Sequence, residues 1–153
     1  MFVFLDKVAQ SQAAFNAIDL ISGTGGSAYN TGDRLIYQTS VLNPGGHYNN
    51  ITGEYTCPMT GVYQFVYSIN GAYIKQGGGH SRATATLYVD GDMVSEVYYS
   101  NGNSANTYLA LSHTDIVSCQ AGQRVWAQSD GDRNFILSST TRNVFRGVLL
   151  YTT

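Results

Sequence analysis

Short strand-like runs separated by turn residues recur along the whole chain, the pattern of an antiparallel sandwich or barrel rather than of parallel units joined by helices. Residues 62–69 (VYQFVYSI) show it best. Tyr63, Phe65, Tyr67 and Ile69 fall on one face while Val62 and Val66 fall on the other, so both faces are partly apolar and a central strand is expected. Residues 83–89 (ATATLYV) run into Asp90-Gly91-Asp92 and resume at Met93-Val94. The Asp-Gly pair supplies the positive φ of a tight hairpin turn. Further strands are expected at 14–20, 34–41, 54–57, 94–99, 107–112, 115–119, 124–128, 134–138 and 144–151, giving roughly ten short strands. Only 2 Glu and 2 Lys stand against 12 Tyr and 17 Gly, which excludes a helical bundle or coiled coil.

The 153 residues suffice for one domain with a sizeable core. Residues 1–12 read as an N-terminal extension and 13–153 as the domain. No run of 18 apolar residues occurs, and the apolar run Phe2 to Leu5 is cut short by Asp6 and Lys7, so neither a membrane span nor a signal peptide is expected in this chain. A net charge of −2 with eight basic residues and no Lys/Arg cluster gives no footprint for a phosphate backbone, and nucleic acid is not an expected partner. Cys57 and Cys119 are too few for a disulfide scaffold; they read as buried thiols, with pairing left open.

Converging catalytic groups are not evident. His47, His80 and His113 each stand alone and read as surface-loop residues, and no HExxH, GxSxG or CxxC occurs. The Gly-rich stretches 23–26 and 77–79 lack the lysine of a phosphate loop and the strand-helix frame of a dinucleotide site. Asp130-Gly131-Asp132 has no acidic residue at the far end of a calcium loop and reads as a hairpin turn. No catalytic residue, metal ligand or cofactor is therefore expected. Asn50-Ile51-Thr52 is a formal N-glycosylation sequon.

What the chain does offer is neutral hydrogen-bonding groups and aromatic rings. It carries 14 Ser, 14 Thr and 11 Asn beside its tyrosines, while charged residues are only 12 %. Such groups satisfy sugar hydroxyls, an aromatic face packs on the apolar side of a pyranose, and Arg can fork onto a sugar carboxylate. Three long loops stand out as places for them, at 22–32, 71–82 and 99–106.

Residues 42–65 (LNPGGHYNNITGEYTCPMTGVYQF) carry a Gly-Gly-x-Tyr turn, then Thr-Gly-x-Tyr-x-Cys-Pro, then Gly-Val-Tyr-x-Phe. Ala14-Phe15-Asn16-Ala17, Ala121-Gly122-Gln123-Arg124-Val125-Trp126 and Phe145-Arg146-Gly147-Val148-Leu149-Leu150 follow the same order and spacing as in one family. In these motifs the chain resembles the C1q domain, which is related in fold to tumour necrosis factor. The resemblance spans about 14–151 and implies an all-β, ten-stranded antiparallel jelly-roll sandwich that assembles as a trimer. It also implies a fold-defining set of Phe15, Tyr55, Tyr63, Phe65, Val125, Phe145, Gly147 and Leu149. The sequence departs from the family at Gln123, where Asp is usual, and at Cys119, where an apolar core residue is usual. Some relatives hold calcium through acidic residues in the loop matching 99–106; here that loop carries Asn101, Asn103 and Asn106 and no carboxylate, so calcium dependence is not expected.

The resemblance further implies a ligand binder and not an enzyme, similar to stand-alone invertebrate C1q-domain lectins such as the sialic-acid-binding lectins of molluscs. The expected function is that of a secreted, extracellular lectin or pattern-recognition protein of innate immunity. It would bind sialylated or other cell-surface glycans multivalently as a homotrimer or higher homo-oligomer, with no membrane insertion. Loop composition nominates Tyr73, His80 and Arg82 in one loop, Tyr98, Tyr99, Asn101 and Asn103 in another, and Arg142 as a further carboxylate fork. The alternatives are a trimeric ligand for a protein receptor, favoured by an exposed apolar stripe, and a packaging or matrix protein.

Overall fold

A computed structural model describes residues 12–21, 29–74, 81–101, 107–131, 135–137 and 143–153. Among these described residues, the strands form two six-stranded antiparallel sheets. The first contains β1 (Ala14–Leu20), β3 (Tyr37–Leu42), β6 (Gly61–Ile74), β9 (Thr107–Cys119), β11 (Phe135–Leu137) and β12 (Val144–Thr152). The second contains β2 (Asp33–Arg34), β4 (Tyr48–Asn49), β5 (Glu54–Thr56), β7 (Ser81–Val89), β8 (Asp92–Asn101) and β10 (Arg124–Ser129). This is the jelly-roll sandwich expected from the sequence.

β6 is central, as its two apolar faces required. β9 pairs along one edge for its whole length, while β12 and then β11 pair along the other. Tyr63, Phe65, Tyr67 and Ile69 are all fully buried. The first sheet supplies most of the large inward side chains, including Phe15, Tyr37 and Phe145. The second answers with smaller ones at Ala83, Ala85, Leu87 and Ala127, together with Tyr48 and Tyr55. Phe15 is the hub of this core. Its ring stacks on Tyr55 at 4.5 Å and on Tyr48 at 4.9 Å and meets Phe145 edge-on at 4.8 Å.

Gly147 owes its place to the same cluster. Backbone pairing sets Phe15 on one side of it and Phe65 on the other. A Cβ at 147 would stand 2.6 Å from carbons of the Phe65 ring and 2.7 Å from the ring of Phe15. Gly147→Ala is therefore expected to cost about 1–3 kcal/mol through overpacking. An unchanged urea midpoint would show that the two rings can part freely.

The turn between β7 and β8 forms as read from the sequence. Val89 faces Asp92 across a two-residue turn in which Asp90 (φ 49°) and Gly91 (φ 98°) are both left-handed. Other expectations need correction. The run at 34–41 divides, β2 pairing with β10 in one sheet and β3 with β1 in the other, with buried Leu35 at the crossing. Tyr48 and Asn49, read as part of a turn, pair with β5. The strands at 107–112 and 115–119 are one, because polar Ser112 and Thr114 lie on the outer face of a continuous β9 and do not mark a turn. β6 runs to Ile74, into the segment expected to be a loop, absorbing Gly71 (φ 68°) as a bulge. β10 before Asp130-Gly131 and β11 beyond it belong to different sheets and are not a hairpin pair, while Asp132 lies outside the described residues.

Candidate functional site

The β7–β8 hairpin sets cross-strand neighbours that linear spacing hides. Arg82 faces Ser100, Thr84 faces Tyr98 and Thr86 faces Glu96. On its outer side the Arg82 guanidinium lies 4.4 Å from the centre of the Tyr98 ring, and its Nη2 pairs with Glu96 Oε1. Tyr98 is 57 % exposed, so an aromatic ring, a cation and a carboxylate share one accessible patch. Of the nominated residues, the hairpin thus brings together Arg82 and Tyr98. Tyr99 has the opposite orientation, as period-two alternation demands, and packs partly buried on the core. Asn101 closes β8 opposite Ser81, and Tyr73 lies in the other sheet, between Tyr108 and Ile136. His80, Asn103 and Arg142 lie outside the described residues.

Glu96 was not nominated, and the turn alone would have set it opposite Ala85; a bulge at Val94 shifts the register by one residue and brings it beside Thr86. A second group was also missed. Trp126 alternates with inward Val125 and Ala127, so it faces outward, where Tyr88 stacks on it at 5.7 Å and the Arg34 guanidinium sits 4.3 Å from its centre. Arg34 in turn pairs with Glu54. The Tyr88 hydroxyl and Gln128 Nε2 each donate to the Asp130 carboxylate at 2.7 Å, and the Asp130 amide donates to Thr84 Oγ1. The bond to Asp130 pushes the Tyr88 pKa up to about 12. Trp126 is only 8 % exposed, so this group stiffens the outer face beside the hairpin and leaves Tyr98 as the accessible ring.

His113 is not a solitary loop residue. It lies within β9 with Nε2 3.3 Å from Asp115 Oδ1, and the other Asp115 oxygen accepts a 2.5 Å bond from Ser95 Oγ. Tyr67 OH lies 3.1 Å from the same Ser95 oxygen. The carboxylate stands between hydroxyl and imidazole, the reverse of what a serine nucleophile and its base require. Its role is structural, joining β8 of one sheet to β6 and β9 of the other.

The outer face of the first sheet is different again. Pairing aligns Ile116, Gln64, Val148 and Ala14 in one row and Thr114, Val66, Arg146 and Asn16 in the next. The rows border a concavity of about 500 Å³ whose lining includes Leu42, Val66 and Val148, with Arg146 as its one charge. Ile116 is 68 % and Leu42 50 % exposed, so the face presents substantial apolar surface.

Among known proteins, the C1q domain family pattern matches residues 17–150, and the chain belongs to this family. It is 28 % identical over 118 residues to Protein HP-25 homolog 1 of Bos taurus, covering 76 % of this chain and 50 % of the bovine protein. It is also 28 % identical over 116 residues to a complement C1q subcomponent of Mus musculus, covering 75 % of this chain and 42 % of the mouse protein. The chain spans half or less of the length of these relatives. The globular domain of zebrafish complement 1qA superposes with a TM-score of 0.60 at 19 % identity, covering 92 % of this chain and 99 % of that domain, a likeness of fold.

Proposed function

We propose that this chain is a non-enzymatic, extracellular recognition module that binds cell-surface glycans, with residues 13–153 as the binding domain and 1–12 as an extension. The observation that carries this reading is the exposed Tyr98 ring beside the Arg82–Glu96 pair. A ring of this kind packs on the apolar face of a pyranose, and the pair offers donors and an acceptor to its hydroxyls. The pair is only partly buried, its side chains 39 % and 25 % exposed, so the carboxylate of a sialylated glycan can reach Arg82 and compete with Glu96 for it. The end of the same hairpin carries Asn101, and the nominated His80 and Asn103, next to its two strands in sequence, would add contacts.

Single sites of this size bind weakly. Association through the apolar outer face of the first sheet, as a homotrimer or higher homo-oligomer, would raise avidity for a glycan-coated surface about a hundredfold or more. The same apolar face supports a second reading, a ligand for a protein receptor.

A glycan array probed with and without a chelator tests the first reading, and Tyr98→Ala is expected to weaken binding about tenfold. Glu96→Gln is expected to favour sialylated over neutral glycans, because it frees Arg82 for the sugar carboxylate. Absence of glycan binding, or agglutination that no free sugar inhibits, would move the assignment to the protein receptor.

A further inference from the structure

The two cysteines, far apart in the chain, meet at one end of the sandwich. Cys57 follows β5 of the second sheet and Cys119 is the last residue of β9 in the first. Both are buried, at 0 % and 2 % exposure. The backbone holds them in place. The Cys57 amide donates to Gln123 O at 2.8 Å, and the Gly122 amide donates back to Cys57 O at 2.7 Å. The Ala121 amide donates to Thr60 Oγ1 at 3.0 Å, and the Gln120 amide to Gln123 Oε1 at 2.7 Å. Within this frame both side chains lie in the one buried core cluster, Cys119 opposite Gly61 at the start of β6 and Cys57 four residues before that glycine.

We propose that Cys57 and Cys119 form an oxidisable pair that closes to an intradomain disulfide linking the two sheets. Four hydrogen bonds from backbone amides hold the segments on either side of the pair, so the two buried thiols are kept at the same end of the core. The reaction takes glutathione disulfide, or another low-molecular-weight disulfide, as its two-electron oxidant. A Cys119 thiolate attacks one glutathione sulfur, forming a mixed disulfide and releasing one glutathione thiolate. Cys57, giving up its proton, then attacks the Cys119 sulfur and releases the second. Two thiols are oxidised to one disulfide and one disulfide is reduced to two thiols, the protons passing to the leaving thiolates.

The neighbouring Cys57 thiol lowers the pKa of Cys119, which suits Cys119 to the first attack, and the pairing raises that of Cys57. Burial restricts the first step to folding or to local opening of the two turns. Once formed, the bond is shielded from reductants in the same way. It would close a loop of about 60 residues containing β6, β7, β8 and β9.

The test is to fold the full chain in a glutathione redox buffer and, in parallel, under a thiol reductant. The oxidised product should be lighter by two hydrogen atoms, yield a peptide joining residues 57 and 119, and unfold about 10 °C higher than the reduced one. The paired substitution Cys57→Ala with Cys119→Ala should abolish the redox dependence. Should that variant fail to fold, wild-type protein with and without reductant answers the question alone. Two thiols open to alkylation after oxidative folding and subsequent unfolding would overturn the proposal, as would a disulfide between chains. Either result leaves the glycan assignment untouched.

Discussion

Phe15→Ala is expected to lower the unfolding free energy by about 3–5 kcal/mol, the range for removing a large buried aromatic side chain. The ring is 2 % exposed and packs on Tyr48, Tyr55, Phe65 and Phe145, which belong to four strands across both sheets. Its neighbours cannot collapse into the gap without breaking their own contacts. Tyr55 is held between Phe15 and Phe65, and Tyr48 is anchored by its hydroxyl, which donates to Tyr37 O at 2.9 Å and accepts from the Tyr37 amide at 3.2 Å. Urea denaturation of the variant beside Tyr151→Ala measures this. Tyr151 is 57 % exposed, and its truncation should stay within about 0.5 kcal/mol of wild type. Similar losses at the two positions would show that the core does not centre on Phe15.

Alkaline unfolding is the second large effect. Burial pushes the phenols of Tyr48, Tyr63 and Tyr67 up from 10.0 to about 12, and raises Tyr29, Tyr37 and Tyr55 further. A phenol whose folded pKa lies above its unfolded one leaves stability intact below the unfolded value. Stability is then lost as pH rises through the folded value, because the unfolded chain gives up its protons first. Stability should therefore hold to about pH 10 and fall steeply between 10 and 12, with several rings acting together. Tyrosinate absorbance and circular dichroism followed against pH should change in one coincident step. Ionisation of the buried rings while the strand signal persists would contradict the packing described.

Much of this core is legible in the sequence. The alternation at 62–69 gave the inward row of β6, and Asp90-Gly91 marked the hairpin turn. The Phe-Arg-Gly-Val-Leu motif has a steric reason, since Gly147 must make room for the rings of Phe15 and Phe65. Local signals failed where one residue type serves two purposes. Gly71 suggests a loop but forms a bulge inside β6, and His113 and Thr114, which fell between two expected strands, lie within a continuous β9. Asp130-Gly131 has turn chemistry, yet the strands before and after it belong to different sheets.

The candidate site was half visible. Loop composition nominated Arg82 and Tyr98 but not Glu96, because the ion pair depends on strand register rather than on composition. Regular extension of the hairpin from its turn would have set Glu96 opposite buried Ala85, and only the bulge at Val94 turns it outward beside Arg82. No such local rule predicts the approach of Cys57 to Cys119, which depends on how the two sheets stack.

The tight turn at Asp90 and Gly91 bears on engineering as well. It pins the register of β7 against β8 at one end, and the outward positions at 82, 96 and 98 project away from the buried row of Ala83, Ala85 and Leu87. Those outward positions form a small display panel on a scaffold whose stability resides elsewhere. Their side chains can be diversified as a library to redirect what the hairpin recognises, while the aromatic core beneath keeps its packing.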